Sequence, residues 1–174
     1  MKNLALGKIF IILGALLSIL GTYVFAIYGA TGAVGSGIGF LLNAFGGGWV
    51  DPSLFAGAST YAPLMSTEVW LFYVLLVIFI IFLAAGALQL IGLKIRIAGL
   101  IFSLFPLGVG LMFIFLAYTD FLGIKSAFFA LFFIGEQYGD IFPVLVNLGD
   151  LALGAYFLIG GGALGVISTF LPRE

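Results

Sequence analysis

The side chains able to carry chemistry are few, and almost all of them present oxygen. The 174-residue chain has no His and no Cys. Imidazole bases, thiol nucleophiles, disulfides, axial haem ligands and the usual ligands of zinc, copper and iron are therefore missing. Seven carboxylates remain. Asp150 stands out among them, because with Asn147 it falls inside an apolar segment that opens at Pro143, about two helical turns or roughly 10 Å from its start. An ionisable group inside a span is costly and by default marks a functional site. Three chemistries fit it: an interfacial carboxylate favoured by a helix N-terminus, a proton or ion site, or a general base acting on lipid. Thr22 is its expected donor, with Tyr23, Tyr118 and Lys125 as alternatives. Glu136 and Asp140, four apart with Tyr138 between them, and the earlier Asp120 could offer oxygen to Ca²⁺, but the spacing is not that of an EF-hand. A solvated loop is the simpler reading. Gly46-Gly47-Gly48 and Gly160-Gly161-Gly162 lack the strand and the Lys-Ser/Thr of a phosphate loop, and Gly35-x-Gly37-x-Gly39 lacks a dinucleotide-fold context. The sequence therefore assigns no catalytic residue, no metal and no cofactor.

What must position these groups follows from composition. Hydrophobic residues make up 64% of the chain and charged ones 7%, with a mean hydropathy of +1.35, whereas soluble domains carry about 25% charged residues. A water-soluble globule is excluded, and membrane lipid is the implied partner. Six basic and seven acidic side chains leave a net charge of −1, so there is no basic surface for nucleic acid and no acidic tail.

Charge-free runs cover 9–50, 69–93, 97–119 and 151–172, and a hydrocarbon core about 30 Å thick needs roughly 20 apolar residues in a helix. The first run is long enough for two crossings. Its second half, Gly29 to Val50, holds eight glycines in 22 residues, and a glycine inside a helix costs about 1 kcal/mol relative to alanine. That half is expected to be an apolar loop. Ser66, Thr67 and Glu68 suit the start of a second span, with Trp70 and Tyr73 at the interface. Pro106 predicts a kink in the third. Ser126 to Gly135 is too short to cross and reads as an interfacial or re-entrant helix. The fold class is an all-α integral membrane protein, a single domain over 1–174. It is a four-transmembrane-helix bundle with spans at about 9–28, 66–90, 97–118 and 143–171 and apolar extracellular loops at 29–65 and 119–142. The first apolar stretch is longer than the roughly 7–15 residues of a signal h-region, so it is read as a retained anchor.

With four spans, Lys2, Lys8, Lys94, Arg96 and Arg173 share one side, leaving only Lys125 of the six basic residues opposite. The positive-inside rule then sets a multi-pass protein in the cell membrane with both termini cytoplasmic. The outer loops carry Phe45 and Trp49 in the first and Phe128 and Phe132 in the second. Side chains this apolar should pack on each other, enter the headgroup region or contact a partner.

Two helices carry matching stripes of small residues. Gly7, Gly14, Ser18 and Gly21 are spaced 7, 4 and 3 apart, and Gly154, Gly161, Gly165 and Ser168 repeat the spacing. Small residues let backbones approach where lipid provides no drive for association. The stripes should pack on each other as antiparallel neighbours, or on copies in a homo-oligomer.

Cytoplasmic termini, a longer first outer loop with Gly48-Trp49, a short basic turn and a shorter second loop together resemble the claudin-like tetraspan proteins, without their first-loop cysteines. The resemblance implies a non-enzymatic scaffold that associates laterally through its outer loops. The reading is thus a membrane scaffold or small subunit of a larger membrane complex, not an enzyme, associating through glycine-rich helix faces and apolar outer loops. The alternative is a small ion or proton channel or transporter subunit using Asp150 and Asn147.

Overall fold

The computed structural model describes residues 5–172. In chain order the elements are α1 (Leu6–Ile19), continued by a π-helical turn (Leu20–Val24); β1 (Tyr28–Ala30); β2 (Ala33–Gly35); α2 (Gly37–Phe45); α3 (Ala58–Leu64); and α4 (Val69–Leu88), continued by a 3₁₀ segment (Gln89–Leu93). Then come α5 (Arg96–Tyr118), α6 (Lys125–Phe133), β3 (Ile134–Glu136), β4 (Asn147–Leu148), β5 (Leu151–Ala152) and α7 (Leu153–Ser168). Three continuous helical stretches, Leu6–Val24, Val69–Leu93 and Arg96–Tyr118, are long and apolar enough to cross a membrane. α7 is a shorter apolar helix. α5 runs unbroken through Pro106, which is buried.

α7 lies between α1 and α5, antiparallel to α1. At one end of the bundle the Gly7 amide donates to the Pro172 carbonyl at 2.9 Å. At that same end α4 and α5 form a tight hairpin, where a Cβ on Gly92 would come within 2.7 Å of the Gly99 Cα. The long connections gather at the opposite end.

There they build a cap. The glycine-rich stretch after α1 is not structureless: it pairs β1 with β2 around Thr31-Gly32, with Gly32 at φ 92° supplying the turn, and then forms α2. Ser36 starts α2 because its hydroxyl accepts from the Gly39 amide at 3.1 Å and satisfies one of the free N–H groups of the first turn. β3, from the second long connection, adds antiparallel to β2 with Ala33 opposite Glu136, giving sheet order β1-β2-β3. The two connections are thus hydrogen-bonded into one unit. Ser126 to Gly135 contains α6, which lies beneath α2 with its C-terminal rings turned into the bundle.

One boundary differs from expectation. α7, where the fourth span is expected from Pro143, begins only at Leu153, because the preceding segment finds backbone partners elsewhere. Val144 donates to Val24 at 2.7 Å and accepts from Ala26 at 2.9 Å, and Ala152 donates to Ile27 at 2.8 Å. β4 and β5 close a hairpin across Gly149, whose φ of 79° suits glycine. These ladder bonds replace the helical ones that residues 144–152 would otherwise make.

Candidate functional site

The small-residue stripes meet each other inside the chain. A Cβ added to Gly14 would sit 2.7 Å from the Gly161 carbonyl oxygen and 3.0 Å from the Gly165 nitrogen; one on Gly21 would sit 2.7 Å from the Gly154 oxygen. Gly161 lies against Ser18, with only 2.5 Å between its virtual Cβ and the hydroxyl oxygen. Gly7, Gly14, Ser18, Gly21, Gly154, Gly161, Gly165 and Ser168 are all buried. The Ser168 hydroxyl donates to the Gly165 carbonyl at 2.6 Å.

A third helix joins this seam. Ser103 of α5 presses on Gly165, and the α5 backbone at Leu107 presses on Gly162, 2.6 Å from its virtual Cβ. The signal was present in the sequence, since Gly99, Ser103, Pro106 and Gly110 recur at helical spacing along the buried face of α5. Gln89 had no such signal. Its amide is fully buried at this junction, and neither its nitrogen nor its oxygen has a hydrogen-bond partner among the described residues; the same holds for the Ser18 hydroxyl.

The polar side chains singled out at 147–150 are placed differently. Asn147 and Asp150 sit on the β4–β5 hairpin and are exposed, not on the packed face of a helix, because α7 starts only after them. Thr22 is buried, but its hydroxyl donates one turn back to the Ser18 carbonyl at 2.7 Å and not to Asp150. Asp150 instead lines a pocket of about 290 Å³ between α5, α6 and the hairpin, with the Tyr28 and Phe113 rings, Ser126 and Ala127 among its walls. The Tyr28 hydroxyl donates to the Ala130 carbonyl, and burial pushes its phenol pKa well above the usual value. Glu136 and Asp140 are exposed, and among the described residues no three His, Cys, Asp or Glu side chains gather as a metal site.

Two amides organise the cap, and neither was singled out by sequence. Asn43 is fully buried; its nitrogen donates to the carbonyls of Phe132 at 3.0 Å and Ile134 at 2.8 Å, while its oxygen accepts from the amides of Trp49 at 2.8 Å and Val50 at 3.2 Å. One side chain thereby joins the end of α6 to the glycine turn after α2. Gln137 does the same for the sheet: its oxygen accepts from Gly32 at 3.1 Å and its nitrogen donates to Pro143 at 3.0 Å. Isolated polar residues in apolar loops are a weak signal in sequence, because only the fold reveals which carbonyls surround them.

Of the four loop aromatics, Phe132 is buried and Phe128 packs against the core, whereas Phe45 and Trp49 are 63% and 54% exposed. Phe45 stacks on Phe55 at 5.3 Å, and Phe55 on Tyr73 at 6.3 Å. With Trp70 also 63% exposed, the cap presents an aromatic flank level with the start of α4.

No family model, no curated protein and no solved structure matches the chain.

Proposed function

We propose that the chain is a four-span membrane scaffold, or the small subunit of a larger membrane complex, which associates laterally through the apolar flank of its cap. The fourth span is α7. It starts beside Gly21, and the short segment after its last residue, Ser168, meets Gly7 at Pro172, so α7 with that segment spans the height of α1. Lys8, Lys94 and Arg96 lie at the turn end, which the positive-inside rule assigns to the cytoplasm; Lys2, Arg173 and Glu174 lie outside the described residues. The cap then faces outward.

The observation that carries the reading is the exposed aromatic flank of Phe45, Trp49, Trp70 and Tyr73, with the half-buried Phe55 stacked between Phe45 and Tyr73. Phe45 and Trp49 belong to a cap whose interior is already filled, and Trp70 and Tyr73 to the start of α4 beside it, so these four rings leave most of their surface for a partner. The glycine faces, by contrast, are spent within one chain, which leaves the cap as the surface for lateral contact.

The test is native mass determination in mild detergent. Wild type should run as an oligomer or with a stoichiometric companion, and Phe45→Ser/Trp49→Ser should release the monomer without loss of fold. A wild type that is monomeric and alone at all concentrations would overturn the proposal. Orientation is tested in intact cells with a membrane-impermeant thiol reagent, which should label Ser59→Cys and spare Ile95→Cys; the reverse pattern would invert it.

A further inference from the structure

We propose that the pocket between α5, α6 and the β4–β5 hairpin binds an organic ammonium group carried on an apolar body. The argument begins with what the walls can still offer. The Tyr28 hydroxyl is committed to the Ala130 carbonyl and the Ser126 hydroxyl to the Gly123 carbonyl. The donors are spent. What remains for an occupant is acceptor oxygen, on Asp150 and Ser126, and the partly exposed ring of Tyr28, which is backed by the buried Phe113 ring with centroids 5.3 Å apart.

A carboxylate together with an aromatic ring is the chemistry that recognises a cation, especially one with a diffuse, weakly hydrated charge. Asp150 is the one charged side chain in the lining; Lys125, although next to Ser126 in sequence, does not line it. An anion would meet the Asp150 charge, and a neutral polar ligand would find no donor. Ala117, Ala127 and Ala130 keep the remaining wall apolar and shallow, which suits methyl or methylene groups attached to the charge. The volume of about 290 Å³ is at the small end of ligand sites, which run from about 300 Å³ upward, so a headgroup fits and a large ligand does not.

This goes beyond lateral association and does not depend on it. In the proposed orientation the pocket opens at the outer headgroup level, so the ammonium could belong to a soluble amphiphilic amine or to a lipid headgroup, and the experiment separates these.

In uncharged maltoside micelles, hexyltrimethylammonium should bind by calorimetry, while its neutral analogue with carbon in place of nitrogen should bind about fivefold more weakly or worse. Asp150→Asn should lose that preference, and the preference should shrink with added salt. Asp150 is exposed, so this variant should keep the wild-type melting profile. Ala127→Phe, which fills the pocket from its rim, should abolish binding of both compounds. In nanodiscs of mixed phosphatidylcholine and phosphatidylglycerol, preferential retention of phosphatidylcholine by wild type and not by Asp150→Asn assigns the ammonium to lipid; equal retention assigns it to the soluble amine. Equal affinity for the cation and its neutral analogue, or unchanged cation binding by Asp150→Asn, overturns the proposal. Monomeric behaviour with cation binding intact counts against the scaffold alone.

Discussion

The bundle and the cap solve the same packing problem with opposite materials. Between α1, α7 and α5 glycines and serines let backbone approach backbone, with Leu107, Leu158 and Ile159 packed directly against glycines. Between the cap and the helices it is ring on ring. Phe133 lies 5.1 Å from Phe40, 5.1 Å from Phe79 and 5.1 Å from Phe113, so one side chain of α6 touches α2, α4 and α5 together. A seam of small residues works through shape and tolerates no addition. A cluster of rings works through buried area and tolerates no deletion. The two regions should therefore fail in opposite directions when residues are enlarged or trimmed.

The largest effect is expected from trimming the cap. Phe133→Ala should cost about 3–5 kcal/mol, the usual range for a buried aromatic. Near-UV circular dichroism should show the aromatic signal lost at lower temperature than the helical signal. If both are lost together, cap and bundle are one cooperative unit and the contrast drawn above fails.

Next comes the cap's polar hub. Asn43→Ala removes the partner of the Phe132 and Ile134 carbonyls and of the Trp49 and Val50 amides; the Ile134 and Trp49 bonds are only part-buried, so water replaces them and the net cost should be about 1–3 kcal/mol. Hydrogen exchange should show loss of protection at residues 46–50 before any change in α1. Equal loss in both would mean that the hub braces the whole fold.

The seam is tested by addition. Gly14→Leu and Gly161→Leu drive a side chain into facing backbone and should cost about 1–3 kcal/mol each. Gly108→Ala is the matched control: nothing lies within 4 Å of its virtual Cβ, so it should be neutral or slightly stabilising. Detergent melting curves in which the first two variants match the control would remove the seam from the account.

The smallest effect is a slope. Burial holds the Tyr28 phenol protonated, so the folded state keeps a proton that the unfolded chain gives up near pH 10. Stability from this residue is complete below that pH and falls as pH rises above it, by up to about 1.4 kcal/mol per pH unit. Tyr28→Phe should flatten the alkaline limb of a melting-temperature profile. An unchanged limb would place the titrating group elsewhere.

The contrast also explains what could be read from the sequence. The three long helices were legible because apolar runs of that length leave few alternatives. The short helix α6 was legible for the same reason: seven of its nine residues are apolar, too few to cross. Less could be read where partners come from far along the chain. β2 pairs with β3 across some hundred positions, and the segment before α7 is extended because Val24, Ala26 and Ile27 offer it hydrogen bonds. Local pattern gives no sign of either, and moving that one boundary carried Asn147 and Asp150 from a helix face to a hairpin. Asn43 and Gln137 were invisible for a related reason, since a buried amide has meaning only once its surrounding carbonyls are known.

The hydrogen bond from Gly7 to Pro172 has a consequence for how the protein is made. α1 and α7 are more than a hundred residues apart in sequence, yet each supplies the surface that the other needs. During synthesis the glycine face of α1 is therefore uncovered until α7 has left the ribosome. The bundle closes as a ring whose final joint is also the joint of its first member, and until then any other helix with a small-residue face is a competitor. An insertion partner that shelters α1 in the interval, or a neighbouring copy that borrows it, would act at that moment and leave no trace in the finished fold.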